Sequence, residues 1–356
     1  MSASFDPNQA AAADSGLFGL PTTVEEAALV VVPVPWEATT SYGRGTSWGP
    51  EVIREASRQI DLYDFHFGDF FKHGIALLPG GEEIKSWNQE AQRARALALA
   101  PGELCPGLRA EAFATVNRLS QQLNNWLYQQ SQELLSAGKI LGILGGEHSV
   151  PLGGIKALSE RYPEMSILHI DAHADLRAAY GGFTYSHASI MYNVLRESSV
   201  KTLVQLGIRD FCGEELGLIR EQHGRVVTFF DGEIAAQRYN GTSFAAQIAR
   251  LLAPLSREVY ISFDIDGLDP RYCPHTGTPV PGGFSFNEIC FILEHLRGRG
   301  IKLLGFDLCE VSPGPTYQPA ALAAPELTDA ASQWDANVGA RLLFKLCGLA
   351  LCKPLV

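Results

Sequence analysis

"SILHIDAHADLR", residues 166–177, is the stretch on which the fold is decided. The apolar run Ile167 to Ile170 leads directly into Asp171, His173 and Asp175. These ionisable groups stand at every second position, where a buried strand would carry apolar side chains. Alternate residues of a strand share a face, so Asp171 and His173 point the same way. A strand whose exit carries two carboxylates and an imidazole needs a reason for gathering them.

Similar runs flank this one. "ALVVVPVPW" (28–36), "KILGIL" (139–144), "TLVQLGI" (202–208), "RVVTFF" (225–230), "VYISFDI" (259–265) and "IKLLGFDL" (301–308) all read as strands. Helices are expected over about 113–137, 150–161, 243–254, 286–299 and 333–350, and another begins at Pro50, where the missing N–H costs nothing. The strands are nearly continuous apolar runs, as strands buried on both faces are. Their alternation with helices predicts an α/β fold: three layers, a mostly parallel β-sheet with helices on both faces. Residues 1–26 read as a partly ordered arm before a single domain over 27–356, and the Gly-, Pro- and Ala-rich stretch 80–112 reads as a surface insertion.

Composition narrows the function. The chain has 356 residues, 46% of them hydrophobic, enough for a sizeable core. A net charge of -11 without a basic run argues against nucleic acid as a partner. Seven cysteines without CxxC spacing read as reduced thiols of a cytoplasmic protein. No signal-peptide pattern and no apolar run of membrane-spanning length is visible, so no membrane association is expected. "RLLFKLCGLALCKPLV" at the C-terminus reads as a core or interface helix.

Each informative motif falls where a strand ends, and in parallel sheets ligands bind outside the carboxyl ends of the strands. "KILGILGGEHSV" puts His148 there, "VYISFDIDGLDP" puts Asp264, Asp266 and Asp269 there, and "LLGFDLCEVSP" puts Asp307 and Glu310 there. A lone histidine at a strand end is ordinarily a hydrogen-bonded core residue. Two histidines and four aspartates in three such segments are another matter. That many carboxylates would repel one another and lose hydration on burial, and two divalent cations remove both costs. Imidazole and oxygen donors without thiolate suit Mn²⁺, Ni²⁺, Co²⁺ or Zn²⁺. His66, His73, His223 and His295 read as surface or structural residues, and His169 is expected to face away from the metals.

The motifs resemble those of the ureohydrolase family, which includes arginases, agmatinases, guanidinobutyrases, formiminoglutamases and guanidine hydrolases. "GGEHS", "DAHAD", "SFDIDGLDP", "TGTPVPGG" (276–283) and "EV" (310–311) carry the likeness, which spans about residues 27–350. The resemblance implies an arginase-like fold and two divalent metal ions per chain, Mn²⁺ or else Ni²⁺. One would take His148, Asp171, Asp175 and Asp264, and the other His173, Asp171, Asp264 and Asp266. It implies a shared water between them, which Asp175 could also orient. It further implies that Glu310 holds the substrate guanidinium, a planar cation suited to carboxylate pairing, and that His187, in "YSHAS", carries a proton to the leaving nitrogen. A trimer or hexamer of identical chains is implied as well.

Two segments depart from the pattern. Agmatinases usually read PGTG where this chain has Pro274, His275, Thr276 and Gly277, which puts a titratable ring, His275, beside the expected pocket. The loop AAYGGFTYS after "DAHADLR" holds Tyr180, Phe183 and Tyr185 but no asparagine and, after Arg177, no cation. Aromatic rings attract cations, so Tyr185 and its neighbours suit an alkyl or cationic guanidine. Agmatine or a similar small guanidino compound is the expected substrate, hydrolysed to urea and an amine. Free guanidine and 4-guanidinobutyrate stay open, and arginine and formiminoglutamate fit less well. A metal amide hydrolase would leave Glu310 without a cationic partner, and a non-catalytic subunit would not need all six ligands with His187 and Glu310.

Overall fold

The computed structural model describes residues 5–12, 15–102, 105–314, 317 and 330–352. Eight strands form one sheet: β1 (Leu29–Val34), β2 (Ile75–Leu77), β3 (Ile140–Gly145), β4 (Ser166–Ile170), β5 (Thr202–Ile208), β6 (Val226–Phe230), β7 (Glu258–Asp264) and β8 (Lys302–Cys309). Their order is β2-β1-β3-β8-β7-β4-β5-β6, and every neighbouring pair is parallel. The sheet is therefore wholly parallel rather than mostly so.

Side-chain alternation explains why the strands read as unbroken apolar runs. In β1, Leu29 and Val31 enter one core cluster while Val30, Val32 and Val34 enter the other. Val259, Ile261 and Phe263 of β7 point one way and Tyr260 points the other. The first face is covered by α1 (Gly49–Ser57), α7 (Asp231–Tyr239), α8 (Phe244–Leu251), α9 (Phe286–Gly298) and α10 (Ala330–Leu351). The second is covered by α2 (Glu82–Ala98), α3 (Pro106–Ser136), α4 (Leu152–Arg161) and α5 (Ile190–Glu197). Burial on both faces requires the helices, and the helices carry the chain back for the next parallel strand.

Several regions differ from expectation. Much of the stretch 80–112 is helical: Glu82–Ala98 forms α2, whose Ile84, Ala91, Ala94 and Ala98 are buried against the sheet's second face. The Gly and Pro residues bracket that helix rather than dissolve it. The short strand β2, the helices α5 and α7, and α6 (Gly213–Glu221) were not foreseen. Within the expected arm, Leu17, Phe18 and Leu20 are buried in the core, with Phe18 edge-on to Phe344 of α10. Along α10, Leu342, Leu343, Leu346 and Cys347 are fully buried, so this helix is spent inside the chain itself.

Candidate metal centre and active-site cleft

Four strands adjacent in the sheet, β3, β8, β7 and β4, end together at one edge. His148 follows β3, Glu310 follows β8, Asp264 closes β7 with Asp266 in the turn behind it, and Asp171, His173 and Asp175 follow β4. Gly146 makes the first exit possible, because a Cβ there would lie 2.1 Å from the Trp36 carbonyl oxygen. Two of these exits hold unusual backbone: Asp175 and Glu310 have φ of 54° and 64°. Non-glycine residues in the left-handed region cost roughly 1–3 kcal/mol and concentrate at functional sites.

The donors converge. His148 Nδ1 lies 3.0 Å from Asp171, 3.4 Å from Asp175 and 3.3 Å from Asp264. His173 Nδ1 lies 3.0 Å from Asp266 and 3.5 Å from Asp171. Asp171 thus belongs to two donor groups, each with ligand atoms within 4.8 Å of one another. Apart from the partly exposed His173, all of these side chains are buried. Burial and the charge of Asp171 push Asp175 up to about 6, and burial with Asp266 and Asp171 raises Asp264 well above the carboxylate range. Asp171 is held low: burial opposes its ionisation, but His169, His148 and His173 outweigh it. Burial disfavours protonation of His148 and His173 too, yet the carboxylates around them raise both. A protonated imidazole is a poor substitute for a divalent cation, since it neutralises one charge among several. The donor chemistry therefore fits two divalent ions, with His148, Asp171, Asp175 and Asp264 on one side and His173 and Asp266 on the other.

The surroundings fix these donors. His148 Nε2 is 2.9 Å from Ser262 Oγ and 3.5 Å from Asp307, so its outward nitrogen is held while Nδ1 faces the carboxylates. His169 corrects an expectation. It lies on the same side of β4 as Asp171, with Nε2 2.8 Å from the carboxylate, as the two-residue spacing requires. Gln205 Nε2 approaches its Nδ1 at 3.0 Å and also donates to the Ala174 carbonyl, so Nε2–H is the side that donates to Asp171. Arg209, just after β5, donates to the carbonyls of Asp266 at 2.6 Å, Leu268 at 3.2 Å and Val280 at 3.0 Å. It pins the loop that carries Asp266, and nothing in the sequence around it marked that role.

Glu310 has two distinct oxygens. Oε1 accepts the His148 N–H at 2.9 Å, whereas Oε2 is buried without a partner. Burial, with Glu147 and Asp266 nearby, raises this carboxyl well above its ordinary range. A buried acceptor without a donor is rare, and a cationic ligand would satisfy it. A cleft of about 280 Å³ opens beside the metal donors. Its walls include His173, Asp175, His187, Tyr42, Tyr180, Asp210 and Glu215. Burial, then the positive charges of His173, Arg95 and His148, push His187 down to about 3, so its imidazole is neutral.

Of the expected substrate-binding residues, His187 lines this cleft, whereas Glu310, Tyr185 and His275 are not among its walls. Tyr185 turns toward α3 and α5, where its hydroxyl donates to Gln121 and approaches Glu197 at 3.2 Å. Tyr180 from the same loop lines the cleft instead. His275 is held by Asp335 of α10, which accepts its backbone N–H and lies 3.0 Å from Nδ1. That places it in the packing of the α10 interface rather than on the cleft wall.

Imidazole and carboxylate donors grouped for two cations at the carboxyl edge of a wholly parallel sheet define an α/β metal-site protein. A sequence model of the arginase family matches residues 27–331. An N(1)-aminopropylagmatine ureohydrolase of Thermus thermophilus is 33% identical over 301 residues, 84% of this chain and 88% of that protein. An agmatinase of Bacillus anthracis is 28% identical, over 81% and 85%. Among solved structures, the agmatine ureohydrolase of Thermoplasma volcanium superposes with a TM-score of 0.67 at 25% identity, over 92% of this chain and 91% of that one. The chain belongs to the arginase family of ureohydrolases, hydrolases that act on guanidino C–N bonds. The family depends on a binuclear metal centre, and the buried His/Asp cluster fits one here.

Proposed function

We propose that this protein hydrolyses agmatine or a similar small guanidine bearing a cationic tail, releasing urea and an amine. The observation that carries the substrate class is the charge of the cleft. Asp210 and Glu215 line it, and Asp210 is 68% exposed at the side chain. Arg177, the one arginine among the described residues that line it, stands 3.7 Å from Glu215 and over the ring of Tyr180. A substrate carboxylate would have to compete with Glu215 for Arg177, whereas an ammonium group meets the exposed Asp210 carboxylate and the ring of Tyr42 directly.

Two divalent cations, which the six donors would hold, would make a water acidic enough to act as a nucleophile near neutral pH; Mn²⁺ is the ion proposed, with Ni²⁺ as the alternative. The protein's own groups supply the rest. Glu310 Oε2 would pair with the guanidinium and hold its carbon at the centre. Asp175 would orient the nucleophile through its second oxygen. His187 would take a proton at Nε2 and pass it to the departing nitrogen as the C–N bond breaks. Assembly as a trimer or hexamer of identical chains and a cytoplasmic setting, suggested by unpaired thiols at all seven cysteines, complete the proposal. Among the described residues no helix is long and apolar enough to cross a membrane.

The test is a urea-release screen on Mn²⁺- and Ni²⁺-loaded protein. Agmatine, aminopropylagmatine, arginine, guanidine, 4-guanidinobutyrate and formiminoglutamate are compared by kcat/KM. Highest values for the amine-tailed guanidines support the proposal. A preference for 4-guanidinobutyrate or arginine would show that Arg177 leaves Glu215 to bind carboxylate, and would overturn it.

A further inference from the structure

The geometry points to a buried relay, Glu147–Thr39–His187, that fixes which ring nitrogen of His187 carries the proton. It rests on the reading of His187 as the proton carrier, and it concerns two residues that touch neither substrate nor metal.

The relay follows from counting donors and acceptors. Glu147 is fully buried and accepts from three donors: the Thr39 N–H at 2.6 Å, the Thr39 hydroxyl at 2.8 Å and the Ser149 hydroxyl at 2.6 Å. Burial raises Glu147 to about 7; above that pH, as a carboxylate, it takes the single hydroxyl proton of Thr39. Thr39 Oγ1 also accepts the backbone N–H of His187 at 3.1 Å. What remains at this oxygen is one lone pair, and His187 Nδ1 stands 3.2 Å from it. A bare Nδ1 would set lone pair against lone pair. An Nδ1–H makes a hydrogen bond. Ser186 Oγ is also 3.3 Å from Nδ1 and accepts the Ala188 N–H at 3.2 Å, but its own hydroxyl proton is free to turn toward or away from the ring, so it adapts to the tautomer that the nearer Thr39 sets. The proton therefore sits on Nδ1. Nε2 keeps its lone pair on the cleft side, 3.4 Å from Ser41 Oγ.

That tautomer is the one the reaction requires. As water adds to the guanidinium carbon, one of its protons goes to Nε2. When the C–N bond breaks, its electron pair stays on nitrogen, which takes that proton from Nε2, and the ring returns to neutral with Nδ1–H in place. While the ring is briefly cationic, its Nδ1–H points through Thr39 to a carboxylate. Thr39 and Glu147 are thus positioning residues. The opposite tautomer would present an N–H to the incoming proton and block the transfer.

The test reads the ring directly. The metal-free full chain is labelled with ¹⁵N-histidine, and His187 is assigned by the signal lost in His187→Ala. The wild type should show a protonated Nδ1 and a bare Nε2. Glu147→Gln should reverse this. The amide oxygen must face the Thr39 N–H, so its NH₂ group donates to the Thr39 hydroxyl and turns that proton onto Nδ1. A wild-type ring protonated at Nε2, or a ring unchanged in Glu147→Gln, would overturn the relay. Should Glu147→Gln not fold, Thr39→Val takes its place: with the acceptor gone, the Nε2–H form should grow, and an unchanged ring again contradicts the relay. In turnover, Thr39→Val should lower kcat by about 10- to 100-fold with KM and metal content unchanged, and Thr39→Ser should restore it. Equal rates for Thr39→Val and wild type would contradict the relay. The ring measurement needs no substrate, so a failure of the guanidine reading and a failure of the relay show separately.

Discussion

Glu310 is the residue at which holding a substrate and holding a fold are most easily confused, because one oxygen is tied to the backbone and the other is the one proposed for the substrate. Oε1 is engaged with the His148 N–H, while Oε2 is buried and unpartnered. Glu310→Gln keeps an acceptor for His148 and removes the charge meant for guanidinium. It should lower kcat/KM by one to two powers of ten, about 1.5–3 kcal/mol, with the melting temperature and metal content near wild type. A lower melting temperature with unchanged kcat/KM would assign Glu310 to structure alone. The histidines make a second residue-scale prediction. Without metal, their carboxylate neighbours raise His148 and His173 above the usual imidazole value near 6.5. The stability from these pairs is fully present below that unfolded value and is lost as pH rises through the folded ones. A metal must displace these protons, so binding should release protons and tighten with rising pH. The melting temperature of the metal-free chain should fall between pH 7 and 9.5 while that of the loaded chain does not. No proton release in weak buffer would refute this account of the empty cluster.

At the scale of elements, the seven long strands were legible because burial on both faces leaves little but apolar residues in them. The clustered histidines and aspartates were legible because they sit beside those runs at fixed short spacing. His169 was misjudged although the period of two places it on the side of Asp171, which makes it an error of reading rather than of signal. Helix α2 was hidden by punctuation: Gly80 and Gly81 before it and Pro101 and Gly102 after it gave the whole stretch a loop-like composition. What no local pattern could reveal is contact across the chain. Thr39 meets Glu147 across 108 positions and His187 across 148, and periodicity carries no information about such pairs. Arg209 is of this kind. It ties the exit of β5 to the carbonyls of Asp266 and Leu268 behind β7. Arg209→Met should free that loop and weaken metal binding by about 10- to 100-fold, read by Mn²⁺ titration. An unchanged affinity would mean that Asp266 is held by the turn Ile265–Gly267 without it.

For the whole molecule, the sheet brings β3, β8, β7 and β4 together so that residues more than 160 positions apart, such as His148 and Glu310, share one site. The oligomer proposal has to find a surface other than the C-terminal helix that the sequence offered as an interface, because α10 is already largely buried within the chain. Tyr63 and Phe65 remain exposed at 73% and 89%, a surface that association would cover. Sedimentation equilibrium at micromolar concentration should give a trimer or hexamer, and a monomer would refute it. The central claim, that a two-cation cluster drives guanidino hydrolysis, meets its most direct test in a stepwise Mn²⁺ titration of the metal-free chain, with urea release from agmatine-type substrates followed at each addition. The account predicts no urea without metal and a rate that saturates at two bound ions per chain. Full activity in chelator, or no urea from any guanidine at two bound ions, would contradict it.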